Sequence, residues 1–171
     1  RASIGTAARR RARRGPAPPP LRDTGEAEDT VAYDPNNIFA RIARGELPCV
    51  RVHEDADTLA FMDIMPQADG HTLVIPKVAG ESLFETPPES LAAAIRTTQR
   101  VARAVRAAFS PPGLIITQFN GPAAGQTVFH LHFHIVPVYA SGAWRPHARE
   151  KADPAVLEQH AARIRAALAA G

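Results

Sequence analysis

The segment Thr127–Pro137 constrains this chain most, because it reads TVFHLHFHIVP and alternates in character along its length. Successive side chains of a β-strand point to opposite faces, so the alternation predicts a strand over 127–136. One face is apolar and must be buried: Phe129, Leu131, Phe133 and Ile135. The other face carries His130, His132 and His134. The pattern therefore predicts three imidazoles in a row on a rigid element, about 7 Å apart.

This row of histidines favours a chemical role over simple packing. The chain has 7 histidines in 171 residues, and three at alternate positions arise by chance in roughly 1% of such chains. Three protonated imidazoles at this spacing would repel one another, so we expect them to be mostly neutral at pH 7. Two chemistries use such a row: ligation of a metal ion, and attack of one imidazole on phosphorus.

The loop before the histidines favours phosphoryl chemistry. Residues 120–127 read NGPAAGQT, and the backbone N–H groups around Gly121 and Gly125 are expected to gather around a phosphate. Gln126 and Thr127 add an amide and a hydroxyl as further donors. Metal binding normally needs another ligand within a few residues, but IVPVYAS follows the last histidine, and Cys49 is the only cysteine. We therefore expect no bound metal and no cofactor.

Patterns elsewhere predict an α+β domain with an antiparallel sheet, because short strands cluster without regular βαβ alternation. Asn36 or Asn37 caps a short helix that ends at Gly45. Four further strands are predicted over Val50–Glu54, Thr58–Met62, Thr72–Ile75 and Leu114–Phe119.

Two longer helices are predicted. Thr86–Glu89 has the spacing of a capping box and opens a helix that runs to about Phe109. The core stripe of that helix is predicted to be Leu91, Ile95, Thr98, Val101, Ala102 and Val105. Asp153-Pro154 starts a C-terminal helix, with aspartate as the cap and proline in the first turn.

Charge divides the chain into two parts. Residues 1–22 hold seven arginines and no acidic residue, whereas residues 23–171 carry a net charge of −4. Residues 1–33 are predicted to be a disordered Arg/Pro-rich tail, and 34–171 the folded domain. The tail is interpreted as a solvated leader, with a targeting peptide or a nucleic-acid-binding arm as the alternatives. The acidic body does not support a general nucleic-acid surface.

Composition also bears on the compartment. The sequence has no run of the ~18 consecutive apolar residues that a membrane span requires, so we expect no membrane partner. A single cysteine fits a reducing compartment, and we expect a cytoplasmic protein.

Three segments of the chain resemble one known family. His130-Leu-His-Phe-His-Ile-Val fits the histidine-triad pattern, and Gly125–His134 resembles the signature of the Hint-like branch of the HIT superfamily. Phe61–Lys77 and Asn37–Ile42 resemble two other blocks of that branch. The resemblance covers about residues 34–140. It implies the HIT-like fold: an antiparallel sheet of about five strands, a long helix and a short N-terminal helix, here with an added C-terminal helix.

The resemblance also implies a role for each matched residue. His132 is the expected nucleophile that forms a nucleotidyl-histidine, His134 contacts the phosphoryl oxygens or the leaving group, and His130 and His71 complete the hydrogen-bond network. Asp63 accepts from the ribose hydroxyls. The phosphate and leaving-group side is expected to be held by Asn120, Gln126 and Thr127. The purine is expected to be enclosed by Ile38, Phe39, Ile42, Phe61, Ile64 and Leu73.

Departures from the family pattern refine this prediction. Some bacterial relatives carry two cysteines near the first helix and bind zinc, whereas Asn37 and Ala40 stand there in this chain. The third histidine is present, which favours water as the second nucleophile over phosphate. Trp144 is expected at a substrate or subunit edge, or packed in the core.

The resemblance thus predicts a homodimeric hydrolase that cleaves purine nucleoside phosphoramidates, adenylated adducts or dinucleoside polyphosphates at the α-phosphate. Three alternatives stay open: a nucleotidyl transferase or phosphorylase, a non-enzymatic nucleotide-binding scaffold, and a metal-dependent small barrel. The Arg-rich tail is the one part for which a nucleic-acid partner remains an option.

Overall fold

The computed structural model describes residues 33–140 and 150–171. The predictions for the N-terminal tail and for Trp144 lie outside the described residues. The strands are β1 (Arg51–Glu54), β2 (Thr58–Met62), β3 (Thr72–Pro76), β4 (Gly113–Thr117) and β5 (Phe133–Val138). The helices are α1 (Ile38–Ala43), α2 (Pro88–Phe109) and α3 (Pro154–Ala170), with a 3-10 turn over Pro122–Ala124. This arrangement confirms the predicted α+β class.

The five strands form one sheet in the order β1-β2-β3-β5-β4, and every neighbouring pair is antiparallel. Alternate side chains of β2 and β3 enter two separate apolar clusters, which is the period-2 pattern of a strand. One cluster joins Ala60, Met62 and Val74 to residues of α2 and α3. The other joins Leu59, Phe61, Leu73 and Ile75 to α1. The sheet therefore has the two long helices on one face and the short helix on the other.

Capping at both ends defines α1. The Asn37 side chain accepts a hydrogen bond from the Ala40 N–H at 2.9 Å, as predicted for the N-cap. At the other end Gly45 has φ +76°, and its N–H donates to the Ile42 carbonyl. The following N–H, of Glu46, donates to the Arg41 carbonyl, which completes a Schellman motif. These contacts confirm the predicted start and end of the helix.

The observed strand β5 starts later and ends later than the strand predicted over 127–136. β5 begins only at Phe133, because the Leu131 N–H donates to the Gly80 carbonyl in the loop after β3 instead of continuing the β3–β5 ladder. The chain before Leu131 leaves the sheet, and Phe129 is 37% exposed rather than buried. His134 alone of the triad lies inside a strand. The prediction that Phe129 is buried was wrong, because the apolar–polar alternation of the sequence continues beyond the residues of β5 that pair with β3.

Two predictions for α2 are also corrected. The Thr86 hydroxyl donates to the Ser82 carbonyl, and the helix starts one residue later without a side-chain cap. The predicted capping box is therefore absent. Ile95 is 46% exposed instead of lying in the core stripe. The remaining stripe is oriented as predicted, with Thr98, Val101 and Val105 buried.

The C-terminal helix begins where the sequence predicts it. Asp153 accepts from the Ala155 N–H at 2.8 Å. Leu157 and Ile164 are buried in the apolar cluster that α3 shares with α2 and the sheet. Among the described helices, none is both long enough and apolar enough to cross a membrane.

Candidate active site

A cavity of about 470 Å³ opens between α1 and the sheet, on the face that the long helices leave uncovered. Its volume lies in the range of small-molecule sites in proteins. Ten of the fourteen predicted site residues line it: Ile38, Phe39, Ile42, Phe61, Asp63, Ile64, Leu73, Thr127, His132 and His134. The structure therefore brings the apolar stripe of α1 and two of the three triad histidines into one space.

His132 reaches the cavity with a defined tautomer. Its Nδ1 lies 2.7 Å from the His130 carbonyl oxygen. A carbonyl can only accept, so Nδ1 carries the proton and Nε2 of the neutral ring holds the lone pair. The ring is 4% exposed and stands edge-on to Phe39, with 5.0 Å between centroids. The backbone of the triad segment thus presents His132 in the state that a nucleophile requires.

His134 is linked to a histidine from another part of the chain. The Nε2 of His71 lies 3.0 Å from Nδ1 of His134, and both rings are buried. The Gln67 N–H donates to the Nδ1 of His71 at 3.1 Å, so this nitrogen is the acceptor in the neutral ring. The proton of neutral His71 is then on Nε2 and donates to His134. By the same logic, Nε2 of neutral His134 carries a proton.

Asp63 sits at the end of this pair. Its Oδ2 lies 3.5 Å from Nδ1 of His71, while its Oδ1 accepts from the Met65 N–H at 2.8 Å. The carboxylate also belongs to the cavity wall. Asp63 therefore faces the predicted ribose position and His71 at the same time.

His130 has a different environment from the other two triad members. Its Nε2 lies 2.8 Å from the Pro76 carbonyl oxygen, and its Nδ1 lies 2.6 Å from the Tyr33 hydroxyl. Burial lowers the pKa of His130, although the Pro76 contact opposes that shift. Burial also raises the pKa of Tyr33. Burial therefore favours the neutral form of the His130 ring, and His130 is not among the residues that line the cavity.

The loop before the triad is closed by its own hydrogen bonds. The Gln126 amide accepts from the Gly121 N–H and donates to the Glu81 and Val128 carbonyls. The N–H groups of Gly125 and Gln126 also donate to carbonyls of the loop. The expected phosphate cradle of these N–H groups is thus not formed in this structure, because they stabilise the turn. Direct contact of Gln126 with phosphate stays a prediction.

Asn120 and Thr127 lie on either side of this loop. Asn120 accepts from the Leu83 N–H at 2.9 Å and pairs with the Gln118 amide, which ties the loop to the β3–α2 connection. Thr127 is exposed and belongs to the cavity wall, and contact of its hydroxyl with phosphate stays a prediction.

Sequence reasoning missed part of the cavity wall. The additional lining residues are Leu47, Pro48, Cys49, Met62, Met65 and Val128. Cys49 was interpreted as an ordinary packed residue, but it faces the cavity half-buried, and burial raises the pKa of its thiol. Only the fold packs Cys49 against the apolar cluster that contains Phe39 and Ile42. Nothing in the local pattern of Met62 distinguished it from a core residue.

Three described residues could each offer one ligand atom to a metal: Asp63, His71 and His134, with these atoms within 4.8 Å of one another. The facing nitrogens of the two histidines are, however, 3.0 Å apart in a hydrogen bond. A nitrogen that carries the shared proton cannot ligate a metal at the same time. At the start of α1 Asn37 caps the helix, and no thiolate is available there. These residues fit a shared proton and do not fit a zinc site with thiolate ligands.

Comparison with known proteins gives a consistent result. Residues 44–141 match the HIT domain family. Protein hit of Bacillus subtilis is 42% identical over 118 residues, covering 66% of this chain and 81% of that protein. Adenosine 5'-monophosphoramidase of Schizosaccharomyces pombe is 41% identical over 100 residues, covering 58% of this chain and 72% of that protein.

Solved structures agree with the fold. A Hit-like protein from Bartonella henselae is 49% identical with a TM-score of 0.75, covering 80% of this chain and 98% of that one. A zinc-bound histidine triad protein from Mycobacterium smegmatis is 40% identical with a TM-score of 0.68, covering 79% and 94%.

Proposed function

Because the chain belongs to the HIT family, we propose that it is a nucleotide hydrolase that cleaves at the α-phosphate through a covalent nucleotidyl-His132 intermediate. The proposed substrates are purine nucleoside phosphoramidates, adenylated adducts or dinucleoside polyphosphates. One observation carries this proposal: the His130 carbonyl holds the proton of His132 on Nδ1, beside an apolar cavity that also contains Asp63. A relative named as a phosphoramidase supports the reaction class.

The cavity has an apolar part that suits a base and a polar part that suits a ribose with its phosphate. Ile38, Phe39 and Ile42 form an apolar slot against which a flat base packs by dispersion and loss of hydration. Asp63 supplies an acceptor for the ribose hydroxyls, and Thr127 supplies a hydroxyl on the phosphate side. A nucleotide held in this way has its α-phosphorus directed toward His132.

The proposed reaction has two steps. The Nε2 lone pair of His132 attacks the α-phosphorus, the P–N or P–O bond to the leaving group breaks, and the leaving group takes up a proton. Water then attacks the phosphorus, loses a proton to a nearby base and releases the nucleoside monophosphate with His132 restored. His134 lies next to the nucleophile, with 4.9 Å between ring centroids, and contacts the reacting phosphoryl group from the side.

His132→Asn tests this proposal directly. We expect turnover of an adenosine phosphoramidate to be lost while binding of adenosine monophosphate persists, because the apolar slot is unchanged. Denaturing mass spectrometry of the wild type after brief mixing should show one added nucleoside monophosphate on the peptide that contains His132. His53→Asn is the matched control, since that histidine lies on β1 away from the cavity.

Two outcomes contradict the proposal. Turnover without an adduct on the His132 peptide would place the chemistry elsewhere. Predominant nucleoside diphosphate in the presence of inorganic phosphate would assign the phosphorylase reaction instead of hydrolysis.

The assembly state is part of the same proposal. β4 is an edge strand, and unpaired edges are sites where a second sheet adds. Ile116 of β4 and Ile95 of α2 are 43% and 46% exposed, and they flank one surface depression together with Leu114. We expect two copies to pair over this surface as a homodimer.

A further inference from the structure

We propose that Tyr33 is a positioning residue: its hydroxyl fixes the ring of His130, and the main chain of His130 in turn presents the nucleophile His132. This role rests on the proposed function and adds a residue to its site. Tyr33 precedes α1, and His130 lies 97 positions further along the chain. The spacing of the histidine motif carries no signal for this contact, which forms only in the folded chain.

The contact between Tyr33 and His130 has one consistent arrangement of protons. Nε2 of His130 lies 2.8 Å from the Pro76 carbonyl oxygen, which can only accept, so Nε2 carries the proton of the neutral ring. Nδ1 then holds the lone pair, and the Tyr33 hydroxyl, 2.6 Å away, donates to it. Both nitrogens of the neutral ring are therefore bound, one by the end of β3 and one by Tyr33.

Burial makes the tyrosine hydroxyl important for this ring. The His130 residue is 1% exposed, and a buried acceptor that loses its donor pays the free energy of its lost hydration. The two contacts on opposite sides of the ring also fix its rotation. Removing the hydroxyl of Tyr33 therefore leaves the ring of His130 held on one side only.

Local structure before α1 holds Tyr33 in place. The Asp34 side chain accepts from the Asn36 N–H at 2.8 Å, which forms a tight turn directly after Tyr33. The Arg44 guanidinium donates to the Pro35 carbonyl at 2.7 Å and so ties this turn to the end of α1. The hydroxyl is thus carried by a braced segment.

His130 acts on the nucleophile through its carbonyl, whose oxygen lies 2.7 Å from Nδ1 of His132. In the proposed first step Nε2 of His132 bonds to phosphorus, and the leaving group departs with the electron pair of its own bond and takes up a proton. The His132 ring keeps its Nδ1 proton and becomes cationic. Its hydrogen bond to the carbonyl then strengthens, because the donor is charged. The direction of this carbonyl therefore matters more in the transition state than in the resting site.

The consequence is an effect on the chemical step and not on nucleotide binding. Tyr33 and His130 are not among the residues that line the cavity. Loss of the hydroxyl should therefore slow the attack on phosphorus while the apolar slot still binds the base. A purely structural role of Tyr33 would instead change both quantities together or neither.

Tyr33→Phe removes the hydroxyl and keeps the ring. We expect the rate of nucleotidyl-His132 formation at saturating adenosine phosphoramidate to fall about 10-fold, the factor that matches the net free energy of one hydrogen bond. The Kd of adenosine monophosphate is expected to stay at the wild-type value. The measurements are rapid-quench mass spectrometry and calorimetric titration. A wild-type rate, or a loss of affinity by the same factor as the rate, would overturn the positioning role.

Tyr139→Phe is the matched control, because the chain has two tyrosines and this one also donates its hydroxyl to a partner. That partner is the Asp69 carbonyl at 3.0 Å, in the loop before β3. We expect the control variant to form the adduct at the wild-type rate. Equal losses in the two variants would show a general effect of losing a tyrosine hydroxyl and would also overturn the proposal.

The ring nitrogens of His130 provide a spectroscopic measurement that does not depend on turnover. In ¹⁵N NMR spectra of the free protein, Tyr33→Phe should move the Nδ1 resonance of His130 toward that of a lone pair without a donor, while Nε2 stays protonated. An Nδ1 resonance that does not move would show that the hydroxyl does not bind this ring in solution.

Failure of the positioning role is distinguishable from failure of the proposed function. If the wild type forms no nucleotidyl-His132 adduct, the proposed function fails and the role of Tyr33 fails with it. If the wild type forms the adduct and Tyr33→Phe forms it equally fast, only the role of Tyr33 fails. Retained binding of adenosine monophosphate and an unchanged circular dichroism spectrum of Tyr33→Phe show that a slower rate is not a loss of fold.

Discussion

At the scale of single residues, backbone groups decide which nitrogen of neutral His132 and of neutral His71 carries the proton. The His130 carbonyl places a proton on Nδ1 of His132, and the Gln67 N–H keeps Nδ1 of neutral His71 without one. These assignments leave a lone pair on Nε2 of neutral His132 and a proton on Nε2 of neutral His71. Identical side chains in one sequence motif therefore become chemically distinct through the main chain around them.

Cys49 offers a residue-scale test of the nucleotide site. It is the chain's one cysteine and lines the cavity, so alkylation by iodoacetamide reports occupancy at a single position. We expect adenosine monophosphate at saturation to slow the alkylation at least ~10-fold by covering the thiol, which corresponds to ~90% occupancy. Because burial raises the pKa of the thiol, labelling without ligand should be slow at pH 7 and speed up as pH rises.

Inorganic phosphate at the same concentration is the control for this experiment, since it lacks a base to fill the apolar slot. Equal labelling rates with and without the nucleotide would place the base outside this cavity.

At the scale of elements, the short helix α1 depends on its ends. A helix of six residues does not form alone in water, because nucleation costs more than so few hydrogen bonds return. Here the Asn37 cap, the Schellman motif at Gly45 and burial of Phe39 and Ile42 stabilise it. The helix also carries Ile38 to the cavity edge. Its caps therefore stabilise a wall of the binding site as well as the fold.

Asn37→Ala should lower the free energy of unfolding by about 1 kcal/mol, because the Ala40 N–H loses its acceptor. The measurement is urea denaturation followed by circular dichroism. We also expect weaker binding of adenosine monophosphate by the same variant, since α1 forms part of the slot. Asn36→Ala is the control, as the neighbouring asparagine contributes its backbone N–H rather than its side chain to the turn. An equal loss in both variants would contradict the capping role.

At the scale of the whole molecule, the two faces of the sheet carry the main apolar core and the candidate site, respectively. One face is covered by α2 and α3 and forms the larger apolar cluster. The other face holds α1 and the cavity, which His132 and His134 line. The β1 edge contacts α3, whereas the β4 edge carries the exposed Ile116. In the described part of the chain, the β4 edge therefore has no paired strand, and the cavity of the candidate site opens on the α1 face.

Ile116→Lys tests the proposed dimer. A charge on the exposed face of an edge strand opposes pairing of two copies, so we expect the wild type to sediment as a dimer and the variant as a monomer. Val156→Lys is a suitable control, because that residue is similarly exposed but lies on α3. A wild type that sediments as a monomer at micromolar concentration would contradict the proposal.

Local patterns predicted most of the elements. The bounds of β2 match the prediction, and α1 and α3 start at the predicted caps. These features are readable because caps, turns and alternation act within a few residues of the chain. Where two predictions failed, a backbone carbonyl outside the local pattern had taken the donor. The Gly80 carbonyl takes the Leu131 N–H out of the ladder, and the Ser82 carbonyl takes the hydroxyl that was expected to cap α2.

The sequence by itself determined that this chain folds as an α+β domain with three histidines at alternate positions, since both follow from residue spacing. Tertiary structure alone decided what each histidine faces. Residues 71 and 134 lie 63 positions apart and meet at 3.0 Å, and His130 turns instead to Tyr33. The physical reason is that a hydrogen bond depends on distance in space, and only the packed sheet sets which distant donors and acceptors come within 3 Å.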